Sequence, residues 1–206
     1  FSTSVTRAVG DWVVVAVTTD GSNETITIEK GGSAWTGGTV VTDDVSQGSS
    51  TKRVWLKQVA SGETTGDIGA SWTSTEKYCY HIYVLADADI DSYDGGTNDG
   101  GHASIDPYTC PSYDPTGTST FEICFHGGDG PYRNPATPTG WTLPTDGLQQ
   151  GDGSGRVHTV TAHRESDGTA TGTIEWDASG GTVSGVGTTL AFVKASATTH
   201  DESVTE

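Results

Sequence analysis

The chain has no methionine, three cysteines, and only 10 lysine and arginine residues against 27 aspartate and glutamate. The shortage of basic residues leaves a formal charge of -17. Such a surface repels a phosphate backbone or an anionic membrane face instead of releasing counterions onto it, so nucleic acid is not an expected partner. No apolar run approaches the roughly 20 residues that cross a bilayer as a helix, and membrane insertion is not expected. Phe1 opens directly in strand-like sequence, which reads as a processed or internally numbered product with any export signal already gone. Sustained helical periodicity is missing throughout. So are a Gly-x-Ser-x-Gly elbow, a phosphate-binding loop and a His-Glu-x-x-His pair, and without a nucleophile, base and orienter together no enzyme is expected. Three cysteines allow at most one internal disulfide. Cys110, in an irregular segment, and Cys124, in the strand after it, are the first choice, with Cys79 to either left open.

What the sequence does contain is glycine, 29 residues in 206, together with threonine, serine and short alternating apolar runs. That is the makeup of many strands joined by turns, and the size suits one all-β domain over 1-206. The pattern occurs twice. Asp11–Val17 sets against Thr120–His126, Ala34-Trp35-Thr36 against Gly140-Trp141-Thr142, and Ser61-Gly62-Glu63-Thr64 against Asp167-Gly168-Thr169-Ala170, with Trp72 near Trp176. Copy one spans about 9-86 and copy two about 120-197, separated by an aperiodic insert, 87-119, and followed by an acidic tail, 198-206. Val54 and Leu56 alternate with Trp55, Lys57 and Val59, the period of two of a sheet. The expectation is an antiparallel β-sandwich in which the two copies interlock in one double sheet. Pro107, Pro111 and Pro115 predict a long loop or crossover through the insert. The strand at Trp12–Thr19 is apolar on both faces and needs a cover on each side, from this molecule or from another copy.

The segments "GDWVVVAVTTDG", Thr139-Gly140-Trp141-Thr142-Leu143, "RVWLKQVASGET", "SWTS" and "YHIYVLADAD" resemble the jelly-roll-like β-sandwich domains of phage tail and virion-surface proteins and of large secreted bacterial surface proteins. The resemblance runs in order along nearly the whole chain, and its motifs are structural. It departs at Gly31-Gly32-Ser33-Ala34, where the family has Pro-x-Gly before the tryptophan, and at the insert after Asp87. It implies an extracellular or virion-surface scaffold or adhesion module and carries over no catalytic residue.

Several constellations offer chemistry. Asp87, Asp89, Asp91, Asp94 and Asn98 string hard oxygen ligands at short spacing, as a calcium loop does, the plain alternative being a solvated acidic loop. Cys79 with His81 and Cys124 with His126 would suit zinc if their strands were neighbours. Glu175 and Asp177 share a strand face faintly as a glycosidase pair would, but Ser179 stands where a third carboxylate belongs, and structural pairing or plain exposure is the preferred explanation. Trp55 has no aromatic counterpart in copy two and, with Tyr93, Tyr108, Tyr113 and Tyr132, is a candidate for glycan stacking or a subunit interface. Asn23 opens a glycosylation sequon. Phe1, Thr3 and Val5 share a face and form a candidate donor strand, which otherwise pairs within its own sheet. The leading expectation is a non-enzymatic subunit of a homo-oligomer or larger assembly, a filament or a virion component, built by lateral packing and strand exchange. The alternative is a carbohydrate-binding or adhesion module, with calcium as a possible stabiliser.

Overall fold

A computed structural model describes residues 1-74, 77-105, 108-129, 136-144, 148-150, 157-176 and 183-196. Among these there is no helix. The strands in chain order are β1 (Ser2–Thr3), β2 (Trp12–Thr19), β3 (Thr27–Lys30), β4 (Ser33–Ala34), β5 (Thr39–Gln47), β6 (Ser50–Gln58), β7 (Ile68–Ser71), β8 (Tyr78–Leu85), β9 (Ile90–Asn98), β10 (His102–Ile105), β11 (Tyr108–Cys110), β12 (Thr120–Asp129), β13 (Leu148–Gln150), β14 (Val157–Ser166), β15 (Ile174–Trp176) and β16 (Val183–Lys194). They form antiparallel sheets of the β-sandwich kind. The first sheet runs β1-β7-β3-β4 and the second β5-β6-β2-β8. The third runs β10-β16-β12-β14-β13, with β9 also on β16, and the fourth is the pair β11-β15.

Strand parity explains how the sheets stack. β2 is nearly all β-branched, and its side chains alternate between two cores. Val13, Val15 and Val17 join Ile26, Ile28, Ile68, Trp35 and Trp55 between the first and second sheets. Val14 and Ala16 join Val54, Leu56, Ile123, Phe125, Leu190 and Phe192 between the second and third. Cys124, Val160 and Ala162 then pack with Tyr108, Cys110, Ile174 and Trp176 between the third and fourth. Both covers of β2 therefore come from the same chain. Each fully buried valine or leucine contributes roughly 1.5-3 kcal/mol to holding the layers together.

The expectation of one interlocked double sheet is corrected by the pairing. Strands of the first half pair with one another and make two sheets of their own. In the second sheet β2 lies between β6 and β8, and in the third β12 lies between β14 and β16. The insert is corrected too. Residues 90-98 are strand β9, paired with β16 across two register shifts, and β10 and β11 follow it into the third and fourth sheets. Pro111 and Pro115 come after these strands and interrupt none of them, while Pro107 lies outside the described residues.

Candidate functional site

The layers decide where each predicted residue stands. Trp55 is a core residue at 4% exposure, its ring 5.0 Å from that of Trp35, and is not a surface platform. Tyr108 is fully buried, and Tyr93 packs on Trp12 and Phe192. Tyr113 is half-buried, with its hydroxyl over Gly95, and Tyr132 lies outside the described residues. β9 extends the acidic run into a strand in which Asp91 and Asp94 fall at the two register shifts. Asp94 accepts hydrogen bonds from Thr116, and the Asn98 amide donates to Val41 O at 2.8 Å. Asp87 and Asp89 sit in the turn before β9, and Asp91 is exposed on it. Among the described residues no group of three or more acidic, His or Cys side chains is placed to hold a metal.

Zinc is excluded by parity as well. Cys79 and His81 point from β8 toward the Val157 and Thr159 carbonyls of β14, whereas Cys124 and His126 occupy the opposite face of the third sheet. Cys110 and Cys124 do lie in the same core, the Cys110 thiol donating to Phe125 O at 3.1 Å, but neither they nor Cys79 are joined in a disulfide. The expected crosslink is not formed. Glu175 is exposed on β15, and Asp177 lies outside the described residues. Asn23 is exposed at a turn in a left-handed conformation. The candidate donor strand pairs at home: Ser2 and Thr3 face Gly69 and Ile68 of β7, and Phe1 and Val5 pack on the first core.

One buried polar cluster escapes a reading of the sequence. Lys52, on β6, has no exposed surface, and its ammonium donates to Phe125 O and Val186 O of the third sheet, each at 2.8 Å. Burial lowers its pKa to about 8. Close by, Tyr108 of the fourth sheet stacks on the rings of both His126 and His158, at 4.9 and 5.0 Å, and the two imidazoles stack on each other at 5.6 Å. Gly187 makes the close approach possible, because a Cβ there would lie 2.2 Å from Thr109 O. Burial holds the His126 imidazole well below its ordinary value, reinforced by His158 and Lys52. Burial also raises the Cys124 thiol; for Cys110 the same cost is outweighed by the Cys124 hydrogen bond and the Lys52 charge. Lys52, Tyr108, His126 and His158 have no exposed surface.

At the surface, β8 stands out among sheet edges. Edge strands are normally blunted by shortness, charge, proline or bulges. β1, β4, β11, β13 and β15 have two or three residues each, β10 has four with a register shift, β5 is bulged and carries Asp43 and Asp44, and β9 is bulged, acidic and glycine-bearing. β8 pairs with β2 over eight residues without a shift and contains no acidic residue, lysine, arginine, glycine or proline. Among the described residues it has no ladder partner on its other side. Beside it Phe1 lies flat on Tyr80 at 3.9 Å, and Trp72 meets the exposed Tyr78 at 4.9 Å. Glu24 holds the segment after Trp72, accepting from Thr73 and Ser74, and those hydrogen bonds, the Ser74 hydroxyl's first, lower its pKa.

A second surface feature is an open cleft of about 320 Å³ beside half-buried Trp141, with Arg164 and Glu175 on its walls. The Arg164 guanidinium lies 5.1 Å from the Trp141 ring centre and is paired with the fully buried Glu122. A further cleft of about 380 Å³ lies where Val84, Ile90 and Phe121 meet the Lys194–Glu165 ion pair. Comparison with protein-family models, with curated proteins and with solved structures gives no match.

Proposed function

We propose that this chain is a non-enzymatic structural subunit of an extracellular assembly, a filament or a virion or tail decoration, joined to its neighbours by strand addition at β8. The observation that supports this reading is the unblunted β8 edge. About half of its residues turn a backbone N–H and C=O away from β2, where no described strand pairs with them, and an added strand would satisfy them at roughly 1 kcal/mol net for each hydrogen bond. Its freedom from carboxylates matters on a chain of net charge -17, because two copies can meet there without opposing like charges. Phe1, Trp72, Tyr78 and Tyr80 would add apolar contact that main-chain pairing alone lacks. Electron microscopy and light scattering on the purified protein test the proposal. Wild type should form regular fibres or particles. Tyr78→Lys combined with Val84→Lys should remain monomeric with its circular dichroism unchanged. A wild type that stays a monodisperse monomer at high concentration, or a variant that assembles as wild type does, overturns it.

A further inference from the structure

The two halves of the molecule treat equivalent tryptophans differently. Setting β2 against β12, Val15 corresponds to Cys124, and their ladder partners are Trp55 and Ala162. Two steps along, Val13 pairs with Lys57 and Glu122 with Arg164, so the cations over Trp35 and Trp141 are positional equivalents. Around Trp35 the space is closed. The Trp55 ring fills one side, Arg7 lies 5.4 Å from the ring centre, and Glu63 accepts from Nε1 at 3.0 Å, leaving Trp35 5% exposed. In the second half each of these three groups is smaller: Ala162 stands for Trp55, Thr169 for Glu63, and Thr116 for Arg7. Thr116 is moreover turned to Asp94. The cleft beside Trp141 is what remains open.

We propose that this cleft binds one uncharged pyranose ring of a glycan. With Arg164 over one side of the Trp141 ring, the remaining indole surface at the wall of a site rimmed by hydroxyls and a carboxylate would meet the C–H face of a sugar whose hydroxyls hydrogen-bond. Glu175 and Thr173 are exposed on the rim, with Thr139 beside them. The volume, about 320 Å³, lies at the small end of ligand sites, roughly 300-1,000 Å³, and suits a single ring. Charge selects against an anion, because the Arg164 cation is already matched by Glu122 and Glu175 adds a further negative charge.

Isothermal titration with cellohexaose, xylohexaose, mannohexaose, chitohexaose and laminarihexaose, with polygalacturonate as the anionic comparator, tests this. At least one neutral oligosaccharide should bind saturably. Glu175→Gln should weaken it at least tenfold and Trp141→Ala should abolish it, while Trp72→Ala at the β8 edge should leave it unchanged. Because Trp141→Ala removes a partly packed ring, the exposed Thr173→Val gives a second reading, expected to weaken binding severalfold. The proposal is overturned if no neutral oligosaccharide binds at millimolar concentration, if only polygalacturonate binds, or if binding survives both rim variants and falls with Trp72→Ala.

Discussion

Lys52 offers a sharp test of the layered core, because its charge is buried between sheets that the polypeptide could have packed with methionine. Its pKa falls from 10.5 to about 8. Each pKa unit corresponds to about 1.4 kcal/mol, so holding the ammonium inside costs about 3 kcal/mol at neutral pH. The two carbonyl hydrogen bonds at 2.8 Å are what the ammonium receives in place of water, and that cost is net of them. Between pH 8 and 10.5 the unfolded chain carries the proton on this lysine and the folded chain does not. Stability contributed by this group therefore rises with pH in that window and is flat below it. From pH 8 to pH 10 the rise works out at about 2 kcal/mol, or about 1 M in urea midpoint for a slope near 2 kcal/mol/M. The assay is urea unfolding of wild type and Lys52→Met at both pH values. The difference between the two proteins removes the titration of groups remote from Lys52, and Cys110 and Cys124, which sense its charge, are replaced by serine in both. Wild type should gain about 2 kcal/mol over the variant on going to pH 10. Parallel pH dependence in the two proteins would show that Lys52 is not a charged bridge between the sheets.

Trp55→Ala should cost about 3-5 kcal/mol of stability in thermal or urea unfolding, as the loss of a buried ring against Trp35 requires, and should leave oligosaccharide titration at Trp141 unchanged while the protein remains folded. Arg164→Met strands the Glu122 carboxylate, which has no exposed surface, and should destabilise by about 3-5 kcal/mol, whereas Glu122→Gln with Arg164→Met should recover part of that loss. His126 is held well below the ordinary imidazole value of 6.5, so on acidification the unfolded chain takes up a proton that the folded chain refuses. Its contribution is lost as pH falls below about 6.5, by at most about 1.4 kcal/mol per pH unit, and unfolding midpoints measured from pH 7 to 5 should fall less steeply in His126→Phe.

The all-β class is legible because its signals are local. The alternation of Val54 and Leu56 against Trp55 and Val59 assigns them to two faces, and the structure puts them in two different cores. The double-sided character of Trp12–Thr19 is equally plain. What parity does not carry is the identity of the cover. Trp55 looks available for ligand only because nothing local says that Trp35 and Ile26 lie over it. The Cys-x-His pairs look like metal ligands because spacing along a strand is blind to a sheet standing between them. Asp91 and Asp94 look like a loop because glycines and acids are poor strand formers, and pairing with β16 overrides that preference. Of the surface features, Trp141 reads as the match of Trp35 and hence as a core plug. Its openness depends on Ala162, which is unremarkable until the ladder sets it beside Trp55.

The contact between the second and third sheets shows why a chain so poor in charged residues keeps a lysine inside. At one end the seam is apolar, Val14, Val54 and Leu56 against Ile123, Leu190 and Phe192. Such surfaces resist separation but discriminate weakly between neighbouring alignments. At the other end the contacts are directional. Thr159 donates to Thr18 at 3.0 Å, Thr42 and Thr188 share a hydrogen bond of 2.7 Å, and Lys52 spans to the backbone of β12 and β16. Gly127 lets Thr18 approach so closely that a Cβ there would stand 2.0 Å from the hydroxyl. A slip of one sheet over the other would break all of these bonds at once and leave a buried ammonium without acceptors, a far larger cost than the apolar end incurs in the same slip. The polar end thus sets the alignment that the apolar end stabilises. That alignment also sets β8 and β14 against each other, through Tyr83 and Thr161 at 3.1 Å, and so fixes where the open edge of the second sheet stands relative to the third.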